Sequence, residues 1–474
     1  MFTLLRQSPL PARRSLHSSL QRKTDARGDE RRTVAATRLL LRGRNALTGG
    51  PCCPSPPAPP ARMLHLREAM SRVLITDGNE RAALAVVRSL VGAGHVVQVT
   101  APTRVSLAGV SRGVRSHALA FNPLSEPTAY AMELADVVRT ESIDLLLPIT
   151  DPSVESVLEN RTAFGDVVVP FADLATYRAA SDKAHVLDLA RASGFGVPET
   201  RVIQTADGRD ANLPDEGFFP AVIKPHRSVV TIGRRRCPTA VTSVANAAAC
   251  RRALAALPRA AFPVLLQQRV AGVGEGFFAL RWGGRTVAMF AHRRLREKPP
   301  AGGVSVYRES IALEEGLAGP GLRLLDALGW QGVAMVECKR EERTGRQMLM
   351  EVNGRFWGSL QLAIDAGVDF PSLLVRCASG EVVADCPEYR LGVRSRWFWG
   401  DVDHLYLRWR SGGSRLAALW DFVRVRPGRD RPEVWRWRDP APFLVETLQW
   451  LRLLPRQTPR RAQLDAGRVA HERV

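Results

Sequence analysis

Two apolar runs around a polar turn constrain this chain more than any other feature: Val333-Ala-Met-Val-Glu-Cys338 and Met348-Leu-Met-Glu-Val-Asn-Gly-Arg355, with Thr344-Gly345 between them. The pattern predicts a β-hairpin. Position 344 is the midpoint of Glu337 and Glu351, so the two glutamates stand opposite each other on one face, roughly 5 Å apart. Asn353 lies two residues along the same strand and shares that face. Like charges opposite one another in an apolar sheet repel and are costly to bury, so a counter-charge is needed. A hard divalent cation would supply it, because two carboxylates and an amide oxygen, with positions left for phosphate oxygens, suit Mg²⁺ holding a nucleotide. A hairpin face of solvated acids is the alternative at this point.

Upstream the chain alternates strand and helix. Arg72-Val-Leu-Ile75 runs into the turn Thr76-Asp-Gly-Asn79 and a helix to about Gly92, and Gly94 to Thr100 and Ile143 to Ile149 read as further strands. That alternation predicts a parallel α/β sheet. The first turn lacks GxGxxG, which disfavours a dinucleotide and leaves the strand ends near Thr76 to Asn79 and near Asp151 for a ligand. Ser181-Asp-Lys183 then opens an amphipathic helix ending at Gly194, and Phe219 to Pro225 is a strand that delivers Lys224 at its end. An arginine-rich loop, Arg227 to Arg236, leads to a helix around Val244 to Leu257, and Val264 to Val270 is a strand followed by Gly272, Gly274 and Gly276.

With 474 residues, 45% of them hydrophobic, the chain can bury a core of two or three domains. No apolar run reaches the roughly 18 residues of a spanning helix. The net charge of +20 divides into +9 over residues 1–70, +9 over 390–474 and +2 between them. Five lysines stand against 62 arginines, which reads as coding bias, and no nucleic-acid partner is expected. Seven cysteines without zinc spacing point to reduced thiols and a cytoplasmic protein. Residues 1–70, rich in Arg, Ser and Pro, cannot pack a core; they read as a disordered, targeting or mis-started extension, with Met63 and Met70 as other starts.

In this order the pieces resemble the ATP-grasp superfamily, the fold of D-alanine:D-alanine ligase, biotin carboxylase and the carbamoyl phosphate synthase large chain. The resemblance runs from about Arg72 to Gly380. It implies an α/β and α+β chain, with a Rossmann-like pre-ATP-grasp domain over 71–170 and an ATP-grasp domain over 171–384, leaving a Trp/Arg-rich segment over 385–474. It further implies that Lys183 and Lys224 contact phosphate and that Gln267 to Gly272 forms the adenine hinge. In that hinge Gln267 replaces the commoner Glu, the Val270 backbone meets the ring, and Glu275 binds the ribose. Glu337, Glu351 and Asn353 fall on the positions of Mg²⁺ or Mn²⁺ ligands, and Arg355 on that of an arginine touching the γ-phosphate. Gly354 replaces the usual proline, and the Arg227 to Arg236 loop is poorer in glycine than the family's phosphate loop.

Ala291-His-Arg-Arg-Leu-Arg-Glu297 is similar to carboxylate-amine ligase-like members, which puts His292, Arg293 and Arg294 on the acceptor side, with Arg294 binding a substrate carboxylate. A solvated arginine run is the alternative. The resemblance implies an ATP- and Mg²⁺-dependent ligase that activates a carboxylate as an acyl phosphate for attack by an amine. A non-catalytic ATP-binding interaction module is the competing reading. The partners are then a small-molecule carboxylate and an amine, with a homo-oligomer left open. Seven of the ten tryptophans fall in the last segment. Packing against the core is the first reading of them, and peripheral contact with an anionic membrane the second.

Overall fold

Val73, Leu74 and Ile75 are consecutive and all fully buried, so β1 (Arg72–Ile75) is covered on both faces, as strands of a parallel sheet are. The computed structural model describes residues 70–205, 213–227, 229–232, 235–383, 387–412, 414–424 and 429–453. The extension expected over 1–70 lies, but for its last residue, outside them. In the first sheet β1 pairs in parallel with β2 (Val96–Ala101) and β4 (Leu145–Leu147), and β2 with β3 (Val114–Ala118), giving the order β3-β2-β1-β4. Helices α1 (Arg81–Gly92), α2 (Pro127–Thr140) and α3 (Asp151–Glu159) follow β1, β3 and β4. Because β1 and β4 are neighbours without being successive, the crevice at their carboxyl ends is a switch point, where such sheets take ligands. Asp77 and Asp151 stand there. Asp77 sits in the left-handed region at φ 57°, held by a carboxylate that accepts from the N–H of Thr150 at 3.0 Å and the Ser153 hydroxyl at 2.8 Å.

The next elements are α4 (Leu174–Ser181) and α5 (Lys183–Ser193). Asp182 caps α5 by accepting from the N–H groups of Ala184 and His185, and Gly194 ends it at φ 95°. β5 (Thr200–Ile203), β6 (Ala221–Pro225), β9 (Thr242–Val244) and β10 (Val264–Gln268) form an antiparallel sheet in the order β5-β10-β6-β9. The arginine-rich segment expected to be a loop contains a second hairpin, β7 (Val229–Ile232) with β8 (Arg235–Pro238). The following helix, α6 (Ala247–Ala255), starts later than Val244, because Val244 ends β9 and Asn246 caps the helix by accepting from the N–H of Ala249.

The largest sheet has seven strands in the order β15-β14-β11-β12-β13-β16-β17. These are β11 (Gly272–Trp282), β12 (Arg285–Lys298), β13 (Val304–Ser310), β14 (Gly332–Glu341), β15 (Gln347–Asn353), β16 (Arg394–Arg396) and β17 (Asp430–Pro432). The inner strands are long and buried at Phe277, Phe278, Leu280, Phe290 and Val336, which join α7 (Glu315–Ala327), α8 (Leu360–Ala366) and α9 (Phe370–Ala378) in one core. β16 and β17 come from the Trp/Arg-rich segment and extend this sheet at its edge. The helices of that segment are α10 (Phe398–Arg410), α11 (Arg415–Val423) and α12 (Ala441–Leu453). Trp399 stacks on Trp450 at 4.1 Å, and Trp397, half-buried against the main core, donates to Glu446 at 2.7 Å.

Candidate active site

Strand pairing carries the site's geometry. Glu337 on β14 stands opposite Glu351 on β15 and opposite Gly276 on β11, while Met335 stands opposite Asn353. A register shift after Glu337 kinks the hairpin beside the pair. Directly opposed residues share a face, and the same register places His292 and Arg294 of β12 on the face of Gly276.

Three of the five lysines converge here. Lys183 Nζ lies 4.0 Å from Glu351 Oε2, and the Lys183 N–H donates to the His226 carbonyl just beyond β6. Lys224 is half-buried opposite Leu265, and desolvation pushes its ammonium below its usual pKa, opposed by the attraction of Glu351. Lys339, on the face of Glu337, donates to the Val270 carbonyl at 3.3 Å, so the hinge expected to read adenine is tied to the strand that carries the carboxylates. Sequence reasoning does not single out Lys339; the one signal for it is the scarcity of lysine itself. A compact ammonium serves where an arginine fork would overfill the space.

Glu337 has a second neighbour. Arg294 Nη2 lies 2.5 Å from it, and Arg294 Nη1 donates to Glu297 at 2.9 Å. Burial opposes the Arg294 charge, but the two carboxylates outweigh it and hold its pKa up. Burial raises the Glu337 pKa, Arg294 lowers it, Glu351 raises it, and the net direction is up. Arg294 therefore holds a glutamate of this chain. His292 is buried against Phe278, with ring centroids 4.7 Å apart, and burial followed by Arg294 and Arg308 keeps it neutral. Neither of its nitrogens has a partner among the described residues. Arg293 points to the other face and pairs with Glu309.

Glu275 also faces away. It stands opposite Arg293 and Cys338, is buried, and accepts from Arg340 Nε at 2.8 Å, on the face opposite Glu337 and Glu351. The alternation of a strand is the physical reason, since its neighbour Gly276 takes the glutamate face. Gln267 is buried in β10 and donates to the Thr200 hydroxyl at 3.1 Å. The structure thus brings together Lys183, Lys224, Glu337, Glu351, Asn353, Arg355 and Arg294, and leaves Glu275 apart from them.

The cavity at the centre is lined by Asp151, Tyr177, Lys183, Arg227, Glu351 and Asn353 among others. Arg355 donates from Nε to Asp151 at 2.9 Å and from Nη2 to Asn353 Oδ1 at 3.4 Å, and Tyr177 donates to the other Asp151 oxygen at 2.8 Å. Burial works against the Asp151 charge, but Arg355, Tyr177 and Lys183 outweigh it and hold its pKa below the usual carboxylate range. The β7–β8 hairpin is pinned over α3 by Arg236, which donates to Ser156 at 2.8 Å and pairs with Glu159. Tyr177 escapes a reading of the sequence because no local pattern marks it, and Arg227 is marked there only as the first residue of the arginine-rich loop.

A family model described as "ATP-grasp in the biosynthetic pathway with Ter operon" matches residues 279–400, which span the carboxylate hairpin. The crystal structure of an L-amino acid ligase from Bacillus licheniformis superposes with a TM-score of 0.54 at 16% identity, covering 68% of this chain and 78% of that one. The chain has the ATP-grasp fold. Two further likenesses are an ADP complex of N5-carboxyaminoimidazole ribonucleotide synthetase and a biotin carboxylase from Campylobacter jejuni. The first has a TM-score of 0.53 at 14% identity, covering 72% of this chain and 85% of that one. The second has a TM-score of 0.51 at 13% identity, covering 69% and 74%. No curated protein matches the chain in sequence. The expected α/β fold class and the ATP-grasp resemblance both hold.

Proposed function

We propose that this ATP-grasp chain is an ATP-dependent ligase that activates a small-molecule carboxylate for attack by an amine. The observation that carries the reading is the convergence of Lys183, Lys224 and Arg355 on the face where Glu337 opposes Glu351. Three cations around two carboxylates form a cradle for a polyphosphate with its metal. Glu337, Glu351 and Asn353 offer hard oxygen donors of the kind Mg²⁺ takes, few enough to leave positions for phosphate and water, so the donor set fits. Among the described residues no cluster of three His, Cys, Asp or Glu side chains offers a competing metal site.

Bound Mg²⁺-ATP supplies the phosphoryl group that turns a carboxylate, a poor electrophile, into an acyl phosphate that an amine can attack. The chain's own residues position and neutralise. Lys183 and Lys224 lower the cost of bringing phosphate oxygens against Glu351. Asp151 and Asn353 fix the Arg355 guanidinium so that its remaining edge can meet a phosphoryl oxygen without reorganising. Arg294 keeps Glu337 in place within the buried face.

A second reading, ATP binding without turnover, draws on one observation: Arg294 already neutralises Glu337. Mg²⁺-dependent ADP release, measured across a pool of amino acids and small carboxylates, separates the two. Carboxylate-dependent release that Glu351→Ala reduces by about 100-fold or more supports the ligase. Binding of ATP with no release by any pool favours the second reading, and failure to bind ATP defeats both.

A further inference from the structure

Helix α11 carries Leu416, Leu419, Trp420 and Val423 at helical spacing, and all four are exposed, Leu416 to 80% and Trp420 to 66%. Helix α12 repeats the pattern with exposed Leu444, Leu448 and Leu451. The two helices are joined through Phe398 of α10, whose ring lies 6.3 Å from Phe422 and 6.1 Å from Phe443. A soluble helix normally buries such a stripe, yet here only Ala418 of α11 is buried. Exposed apolar stripes of this kind mark a site of association.

Beside the stripe lies a cleft lined by Arg296, Arg394, Arg408 and Arg424, with Tyr307, His404 and one carboxylate, Asp421, which pairs with Arg408 at 3.0 Å. Asp421 follows Trp420 directly and Arg424 follows Val423, so the cleft and the apolar stripe meet on one helix. Arg296 and Arg394 are braced from behind by Asp401 and Glu309, at 3.2 and 2.9 Å. Arginines beside leucine and tryptophan complement one chemistry above others, a phosphate-bearing headgroup with acyl chains next to it. The residues that continue the chain, 454–474, hold five arginines against two acids and few apolar side chains, so they offer little to cover the stripe. Among the described residues no helix is long and apolar enough to cross a membrane.

We infer that α11 and α12 seat this protein on an anionic lipid surface, with headgroup phosphates in the arginine cleft and the leucine and tryptophan side chains in the acyl boundary. The surface lies apart from the cavity that holds Lys183 and Glu351, so the inference stands whether or not the ligase reading does.

The test is co-sedimentation of the full chain with vesicles of phosphatidylcholine alone and of phosphatidylcholine with phosphatidylglycerol, alongside sedimentation velocity without lipid. The expected result is pelleting only with the anionic vesicles, weakened by salt. Arg424→Ser should weaken it about fivefold, as one cation near an anionic surface does. Leu419→Ser with Trp420→Ser should weaken it by roughly tenfold or more. Circular dichroism of each variant checks that it folds. Three outcomes overturn the inference: no pelleting with anionic vesicles, pelleting that the Leu419 and Trp420 changes leave intact, or a lipid-indifferent dimer that those changes dissociate. Protection of the cleft by inorganic phosphate without any vesicle binding would reassign it to a small anion and also overturn it.

Discussion

Arg355 and Asp151 are 204 positions apart in sequence, yet the Arg355 Nε lies 2.9 Å from the Asp151 carboxylate. Asp151 begins the helix after β4, at the switch point of the first sheet, and Arg355 follows the strand carrying Glu351. The pair therefore couples the crevice at the strand ends of one sheet to the carboxylate hairpin of another. Asp151→Asn should keep the fold and lower kcat by about 10- to 100-fold with little change in the KM for ATP, the loss of one charge-assisted hydrogen bond. Because the folded pKa of Asp151 is depressed, its stabilisation is present above the usual carboxylate pKa and lost as pH falls through the folded value. Thermal melts at acidic and neutral pH should show a smaller pH dependence in Asp151→Asn. An unchanged kcat would remove Arg355 positioning from the mechanism.

Arg294 makes a prediction about what holds Glu337. Arg294→Gln leaves a half-buried carboxylate without its cation, which costs on the order of 1–3 kcal/mol. If Glu337 is a metal ligand, Mg²⁺ should recover part of that loss in a melting curve, and more in the variant than in the parent. A variant as stable as the parent would show the ion pair to be dispensable.

Gly354 stands where the related motif carries proline, and the reason is steric. A Cβ there would run into the Trp330 ring, which is buried and donates to the Val333 carbonyl at 3.2 Å. Gly354→Ala should destabilise by about 1–3 kcal/mol by overpacking. Combining it with Trp330→Phe should restore part of that, as measured by denaturant midpoints.

Glu446 gives the chain a titration near neutrality. Its buried carboxyl is pushed up to about 7, first by burial, while the Trp397 hydrogen bond opposes the rise. A carboxyl whose folded pKa is raised lends stability below its unfolded pKa and loses it as pH rises through about 7. Glu446→Gln should therefore gain on the order of 2 kcal/mol over the parent at pH above that value, and little in mild acid. Equal melting temperatures for the two proteins at alkaline pH would contradict this.

Much of the site is legible in the sequence. The hairpin register follows from period-two alternation and turn position alone, and Glu337 does meet Glu351. Lys183 and Lys224 are marked by what surrounds them, an Asp cap and a strand end. Glu275 lies on the face opposite Glu337 and Glu351 because a strand inverts its side chains at each residue, so a shift of one position in the hinge changes the side. The arginine-rich segment hides a hairpin because its strands lack apolar alternation.

What the sequence determined by itself is local: periodicity, caps and turns, and through them the order of strands and the pairing of two glutamates. Tertiary structure alone decided that Asp151 would grip Arg355, that Lys339 would reach the Val270 carbonyl, that Arg294 would serve Glu337, and that two strands from the last segment would extend the largest sheet. The physical reason is one of range. Alternation and capping act over a few residues and leave a repeated mark, whereas a contact between distant segments is made once, by the packing of whole sheets, and leaves no pattern in the chain.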